Sequence, residues 1–137
     1  MNALSDTNNA TSSLERISFL INKQDFAFQS WNDRYGKGVW AALGTYLYQV
    51  DVVRDLSDAG DMEMMWSWDY VFSSDWLPYA TGKSLMEAML NLEERLSKLP
   101  HDQLERGSNW CNKVTAAIDE LSQANRENRL ERLAPLF

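Results

Sequence analysis

The sequence contains few of the residues from which most catalytic and metal-binding sites are built. Its 137 residues include one histidine, His101, and one cysteine, Cys111. A single cysteine excludes an internal disulfide, and the absence of any run of about 18 apolar residues argues against a membrane span. We therefore predict a cytoplasmic protein whose thiol stays reduced, and we predict neither an enzyme nor a bound cofactor or metal.

Basic residues are also scarce. The chain has 13 Lys and Arg against 20 Asp and Glu, which gives a formal charge of −7 at pH 7. Residues 51–75 hold seven of the acidic residues and one arginine, so this segment carries −6 of that charge. Nucleic acids and anionic membranes attract positive surfaces, so neither is a predicted direct partner. The charge favours a basic protein surface as the partner.

The first residues are polar and lack the basic and apolar blocks of a secretion signal. We predict that residues 1–12 form a disordered leader and that residues 13–137 form a single globular domain. The sequence does not indicate an oligomeric state.

A strand pattern lies in the middle of the chain. Large apolar residues occupy alternate positions from Met62 to Phe72, which predicts a strand over 62–74. The side chains of Trp66 and Trp68 on this strand fit either the core or an interface, and both interpretations are kept.

A helical pattern follows the turn that contains Pro78 and Gly82. Apolar positions there step by four, three, four and three residues, which predicts a helix over 85–98 with this seam facing the core. The seam consists of Leu85, Met89, Leu92, Leu96 and Leu99. A last helix is predicted after Gly107, with Ser108 as its cap.

Two further helices are predicted before the strand. The first covers 13–34, with Asp25 as a candidate break, and the second covers 38–57. A strand over 45–53 is the alternative for part of the second, because that segment is rich in Tyr and Val. The inward seam predicted for the second helix consists of Val39, Leu43, Tyr46, Val50 and Val53, widened by Trp40 and Leu47. These elements predict a predominantly helical α+β domain with a short antiparallel strand element (62–74) packed against helices, and an all-α fold is the alternative.

The candidate chemical motifs have simpler structural interpretations. Gly82-Lys83-Ser84 is similar to the end of a phosphate-binding loop, but Leu77 stands where that motif requires another glycine. A turn glycine followed by a helix-capping serine explains it better. The spacing of His101 and Cys111 indicates no catalytic pair, and the acidic residues from 55 to 63 lack the order of an EF-hand loop.

The best alternative to protein binding uses the tryptophans. Asp69 and Asp75 flank aromatic residues and are the best candidates for the paired carboxylates of a glycosidase, and Trp66, Trp68 and Trp76 could stack on a sugar. A sugar-binding or small-molecule module is therefore the second functional hypothesis.

Aromatic and methionine residues among acidic ones are typical of a protein-binding hot spot with a charged rim. The predicted partner-binding residues are Asp58, Asp61, Glu63, Asp69, Asp75, Trp76 and Tyr79. The predicted function is that of a small acidic inhibitor or regulator of a basic, nucleic-acid-binding protein complex. A homo-oligomer subunit whose exposed apolar seam pairs with itself is a further alternative.

Two resemblances accompany this prediction. The strand, the Pro/Gly turn and the helix that begins Ser84-Leu-Met-Glu-Ala are similar to small antitoxin-type domains, over less than a third of the chain. In size, acidity and lack of catalytic residues the chain also resembles phage- or plasmid-encoded inhibitors such as anti-CRISPR proteins. These resemblances imply an anti-defence inhibitor from a phage or mobile element, or an antitoxin-like regulator.

Overall fold

The structure is a computed structural model that describes residues 14–34, 36, 38–59 and 74–133. Both helices and strands occur in these residues. In chain order the elements are α1 (Glu15–Gln24), β1 (Ala27–Asn32), β2 (Val39–Gly44), α2 (Leu47–Ala59), β3 (Tyr79–Gly82), α3 (Leu85–Ser97), a 3-10 helix (His101–Gln103) and α4 (Asn109–Leu133). Helices predominate and these strands form one antiparallel sheet, which confirms the predicted α+β fold. None of the described helices is both long and apolar enough to cross a membrane.

The sheet has the order β1-β2-β3, so β2 is its central strand. Trp31 of β1 lies directly opposite Trp40 of β2, and Ala41 of β2 lies opposite Ala80 of β3. Five of the six residues of β2 are buried. A strand is enclosed to this extent when helices cover both faces of its sheet.

The two faces of the sheet contact different helices. On one face the Trp31 ring stacks on Trp40 with centroids 5.9 Å apart, and its Nε1 donates to Ser57 Oγ of α2 at 2.9 Å. On the other face, α3 approaches Gly82 so closely that a Cβ there would lie 2.4 Å from the backbone nitrogen of Ala88. Because successive strand residues point to opposite faces, the sheet lies between α2 and α3.

The remaining helices complete these two layers. α1 packs against α3, and α4 packs against α2. The largest fully enclosed aliphatic side chains are Leu20, Leu43, Val50, Leu77, Leu92, Leu96, Leu104, Ile118 and Leu121. They come from every layer, so one continuous apolar core joins the helices to the sheet.

The helix predicted over 13–34 is wrong in its second half. α1 ends at Gln24, and Asp25 takes a left-handed conformation with φ of 57°. Residues 27–32 then form β1, which pairs with β2 along its whole length. The apolar spacing of this short segment fits either period, and pairing with the central strand decides between them.

The helix predicted over 38–57 is correct only from Leu47 onward. Val39–Gly44 is the central strand, and a strand buried on both faces shows no alternation that would identify it. The alternative strand over 45–53 is wrong, because α2 covers Leu47–Ala59. Tyr46 and Leu47 consequently leave the predicted inward seam and lie at the surface.

The two later helices are confirmed. α3 corresponds to the prediction over 85–98, and Leu92 and Leu96 of its seam are buried, although Leu85 at its beginning is exposed. α4 begins after Gly107, as predicted. Ser108 Oγ accepts a hydrogen bond from the backbone nitrogen of Cys111 at 3.1 Å, which is the capping contact expected of it.

Two predicted segments lie outside the described residues. They are the leader 1–12 and the strand 62–74, except for residue 74. The leader, and with it the extent of the single domain over 13–137, stays a prediction. The strand that the structure does show nearby is β3, in the segment predicted to be only a turn.

Candidate protein-interaction surface

The exposed face of α2 brings large apolar side chains next to carboxylates. Tyr46, directly before the helix, and Leu47, its first residue, are each 54% exposed, and Tyr48 is 47% exposed. Asp51 and Asp55 are also exposed, and they follow Tyr48 on the same side of the helix because residues three and four apart are neighbours there. These five residues are called the α2 surface below.

A fixed turn supports the α2 surface from beneath. Thr45 is buried, and its backbone nitrogen donates to Oε1 of Gln49 at 2.8 Å. Its hydroxyl lies 3.0 Å from Sγ of Cys111, and its carbonyl accepts from Nη2 of Arg106 at 2.7 Å. With three different side chains bonded to one residue, the turn has little freedom to change shape when a partner binds.

Gln49 connects the same turn to α4. This side chain is completely buried, and its Nε2 donates to Oγ1 of Thr115 at 3.0 Å. Gly44 allows the close approach, because a Cβ at that position would lie 3.0 Å from Cβ of Gln49. The polar groups of Gln49 are therefore used for structure, and a larger residue at Gly44 would push the turn away from α2.

A column of planar groups leads from the core to the α2 surface. The buried rings of Trp110 and Phe26 are parallel, with centroids 6.1 Å apart. The guanidinium of Arg106 lies 5.9 Å from the Phe26 ring and 5.1 Å from the Tyr46 ring. Tyr46 in turn stacks on Tyr48, with centroids 6.0 Å apart and an interplanar angle of 13°. These five residues are called the aromatic column below.

The carboxylates of the α2 surface keep their charge exposed. Neither Asp51 nor Asp55 forms an ion pair within the described part of the chain. Arg54, the cation nearest to them in sequence, lies over the Trp31 ring at 5.7 Å. The surface is thus negative and available to a cationic group from outside.

The residues predicted to bind a partner are distributed over separate places. Asp58 is half-buried on α2, whereas Asp75 and Trp76 lie in the turn before β3. Asp61, Glu63 and Asp69 lie outside the described residues. Tyr79 is 1% exposed and belongs to the core, where burial raises the pKa of its hydroxyl well above its ordinary value. Because its side chain is buried, it offers almost no surface to a partner in this structure.

The turn that carries Asp75 is attached to α3. Nη1 of Arg95 donates to the carbonyl oxygens of Ser74 and Leu77 at 3.3 and 3.4 Å. Burial lowers the pKa of the Arg95 guanidinium, and the charge of Asp75 opposes that shift. Asp75 also lies 3.9 Å from Nζ of Lys98, but both side chains are more than half exposed, so this pair contributes little to stability.

Trp76 is half-buried in the same turn and already has a cation beside it. Nζ of Lys113 lies 4.1 Å from the centre of the Trp76 ring, and the Trp76 carbonyl accepts from Nε1 of Trp110 at 2.8 Å. Of the three tryptophans in the sugar-binding hypothesis, Trp76 is the one that the structure describes. Both contacts are with residues of α4, so Trp76 helps to attach the turn before β3 to that helix.

The other candidate motifs have structural roles where the structure describes them. Ser84, the cap residue of α3, accepts from the backbone nitrogen of Glu87 at 3.1 Å, and the Glu87 carboxylate accepts from the backbone nitrogen of Lys83, the residue before the cap, at 3.2 Å, so both side chains cap the beginning of α3. Cys111 is buried, and His101 is exposed in the 3-10 helix. Among residues 14–34, 36, 38–59 and 74–133, no three His, Cys, Asp or Glu side chains are grouped so that they could hold a metal ion.

Comparison of the chain with protein-family models, with curated proteins and with solved structures finds no match in any of the three. The α2 surface is therefore interpreted from its own geometry. Sequence reasoning missed this surface because it placed Tyr46 and Leu47 in a buried seam. The available signal was Gly44, since a glycine between an apolar run and a helix favours a chain reversal.

Proposed function

We propose that this chain is a small acidic protein that binds a basic surface of another protein and thereby inhibits or regulates a nucleic-acid-binding complex. The observation that carries the proposal is the α2 surface, in which exposed tyrosine and leucine side chains stand beside carboxylates that form no ion pair with any residue that the structure describes. An anti-defence inhibitor of the anti-CRISPR type is the specific form of this proposal.

The apolar residues of the α2 surface would provide the affinity. Tyrosine is enriched at binding hot spots because its ring is large, rigid and able to form one polar contact. Tyr46 and Tyr48 are already stacked on each other, and the turn beneath them is fixed by Thr45 and Arg106. Because this surface is already ordered, little conformational entropy would be lost when a partner binds.

The carboxylates would provide the rate of association and the choice of partner. Residues 51–75 carry a net charge of −6, and Asp51 and Asp55 place part of that charge on the α2 surface. Complementary charge accelerates encounter with a basic protein and repels acidic ones. Lys and Arg on nucleic-acid-binding proteins are normally neutralised by phosphates, so carboxylates that pair with the same cations would compete with the nucleic acid.

The proposal is tested by capturing proteins from cells of the source organism on the immobilised chain and assaying the captured protein for nucleic-acid binding. We expect that adding the wild-type chain lowers this nucleic-acid binding. Asp51→Lys with Asp55→Lys should abolish both capture and inhibition. The matched control, Glu94→Lys with Asp102→Lys, makes the same change of net charge at exposed positions on α3 and the 3-10 helix, and should retain both. Equal capture by the two double variants would contradict the proposal.

A further inference from the structure

The aromatic column ends at an exposed tyrosine. It begins with the buried rings of Trp110 and Phe26, continues through the guanidinium of Arg106, and ends with the rings of Tyr46 and Tyr48. Tyr48 is 47% exposed, and Tyr46 is its one ring or cation neighbour within the described part of the chain. The last ring of the column is thus available to a further planar group from outside.

The protein itself shows which group fits such a column. Arg106 lies over two rings, at 5.1 Å from Tyr46 and 5.9 Å from Phe26. A guanidinium is planar, always charged and weakly hydrated, so it stacks on an aromatic face at a lower desolvation cost than an ammonium. The column therefore accommodates a guanidinium in its interior and ends in a ring of the same kind.

The carboxylates beside Tyr48 complete the requirements for binding a cation. Asp51 follows Tyr48 by three residues and Asp55 follows it by seven, so all three occupy one side of α2. Helical neighbours at this spacing have Cβ atoms about 5–6 Å apart. A guanidinium stacked on Tyr48 could consequently donate hydrogen bonds to the Asp51 carboxylate, which has no ion-pair partner among the described residues.

We propose that the α2 surface binds an arginine side chain of its partner, with the guanidinium stacked on Tyr48 and hydrogen-bonded to Asp51, and that it prefers arginine to lysine. This inference rests on the proposed function and specifies the chemistry of the basic partner. Lysine would pair with the carboxylate as a point charge but would gain less from the ring.

The test uses two fluorescein-labelled peptides that alternate glycine with arginine or glycine with lysine and have equal length and charge. Dissociation constants for the full chain are measured by fluorescence anisotropy at physiological salt. We expect the arginine peptide to bind the wild-type chain about two- to fivefold more tightly, the ratio that an exposed cation–π contact provides. Tyr48→Ala should remove this preference while leaving the affinity for the lysine peptide nearly unchanged.

Two further variants test the Tyr48 ring and the Asp51 carboxylate separately, and a third is a control at a distant exposed position. Tyr48→Phe keeps the ring and should keep the preference for arginine. Asp51→Asn should weaken the binding of both peptides. Phe19→Ala removes an exposed aromatic residue from α1, away from the α2 surface, and should alter neither affinity. Thermal unfolding of each variant verifies that the fold is intact.

Each contrary outcome has a distinct meaning. Equal affinities of the wild-type chain for the two peptides, both lowered by Asp51→Asn, would overturn the arginine preference and leave the proposed binding of a basic surface standing. A preference for arginine that persists in Tyr48→Ala would overturn the role of Tyr48. Binding of neither peptide would overturn this inference and would also count against the proposed function.

Discussion

The carboxylate of Glu93 accepts a hydrogen bond from the backbone nitrogen of Arg16 at 3.0 Å, so α3 caps the beginning of α1. The same carboxylate accepts from the backbone nitrogen of Ile17 at 3.0 Å and lies 3.2 Å from Nη1 of Arg16. Leu14, the residue at the cap position of α1, makes no capping hydrogen bond through its own side chain. Glu93 therefore satisfies backbone donors that a local Ser or Asp would usually satisfy.

Removing Glu93 should be costly. The residue is buried, and Glu93→Ala would leave two backbone N–H groups and one guanidinium without their acceptor. We expect the free energy of unfolding to fall by about 2–4 kcal/mol, measured by urea denaturation. Glu93→Gln keeps one acceptor oxygen and should cost less. Glu94→Ala, at the next and exposed position, should change stability by less than about 0.5 kcal/mol. Equal effects at the two positions would show that the cap is not formed.

Arg106 should matter both for stability and for the α2 surface. Its guanidinium donates to the carbonyl oxygens of Gln24, Asp25 and Thr45 at 2.6, 2.9 and 2.7 Å. Arg106→Ala should lower the free energy of unfolding by about 1–3 kcal/mol, because three carbonyls lose a charged donor. Arg106→Lys should restore only part of this, since an ammonium does not reproduce the planar fork.

The comparison for Arg106 is Lys98→Ala, which removes an exposed cation in a weak 3.9 Å ion pair. We expect its effect on the free energy of unfolding to stay below about 0.5 kcal/mol. If Arg106→Ala lowered the free energy of unfolding as little as Lys98→Ala in the same urea titration, Arg106 would not fix the turn beneath the α2 surface.

Tyr79 should make the protein sensitive to alkaline pH. Burial raises the pKa of its hydroxyl, whereas the unfolded chain releases this proton near pH 10. The unfolded state therefore binds fewer protons above about pH 10, and the free energy of unfolding should fall there by about 1.4 kcal/mol per pH unit for this group. Below about pH 9 the contribution is constant.

Tyr79→Phe tests this dependence. The Tyr79 hydroxyl has no hydrogen-bond partner among the residues that the structure describes, so its loss should be neutral or stabilising near pH 7. The variant should also lose the part of the alkaline decline that Tyr79 causes, as measured by urea denaturation from pH 8 to about pH 11. If stability declined in Tyr79→Phe as it does in the wild-type chain, the alkaline decline would not be caused by Tyr79.

The inward face of α3 is tested with two leucines. Leu92 is completely buried and Leu90 is 39% exposed, two positions earlier on the same helix. Leu92→Ala should lower the free energy of unfolding by about 2–5 kcal/mol, because it leaves a cavity in the core. Leu90→Ala should cost about 0.5 kcal/mol or less. A cost for Leu92→Ala as small as that for Leu90→Ala would place the seam outside the core.

Periodicity predicted the helices that have one apolar face and missed the central strand, which has two. The seam of Leu92 and Leu96 was recognisable because its apolar positions step by three and four residues along α3. The central strand, Val39–Gly44, is enclosed on both faces, so its sequence has no alternation to distinguish it from a buried helix. Because β2 was predicted to be part of a helix, Tyr46 and Leu47 were wrongly predicted to be buried.

The contacts that build the candidate surface could not be obtained from sequence. Arg106 joins carbonyl groups of Gln24, Asp25 and Thr45, which are about 60 to 80 positions away along the chain. Backbone carbonyls carry no sequence identity, so such contacts leave no pattern. The capping of α1 by Glu93 is equally distant in sequence, and a buried glutamate on a helix is not distinguishable from an exposed one by residue type.

The salt dependence of the association rate tests the central claim most directly. With a captured partner on a surface-plasmon-resonance chip, we expect wild-type association to slow steeply as NaCl rises from about 50 to 500 mM, because screening shortens the range of the acidic field. Asp51→Lys with Asp55→Lys should associate slowly with little salt dependence, whereas Tyr48→Ala should mainly accelerate dissociation. Association of the charge-reversed variant at the wild-type rate and with the wild-type salt dependence would contradict the account.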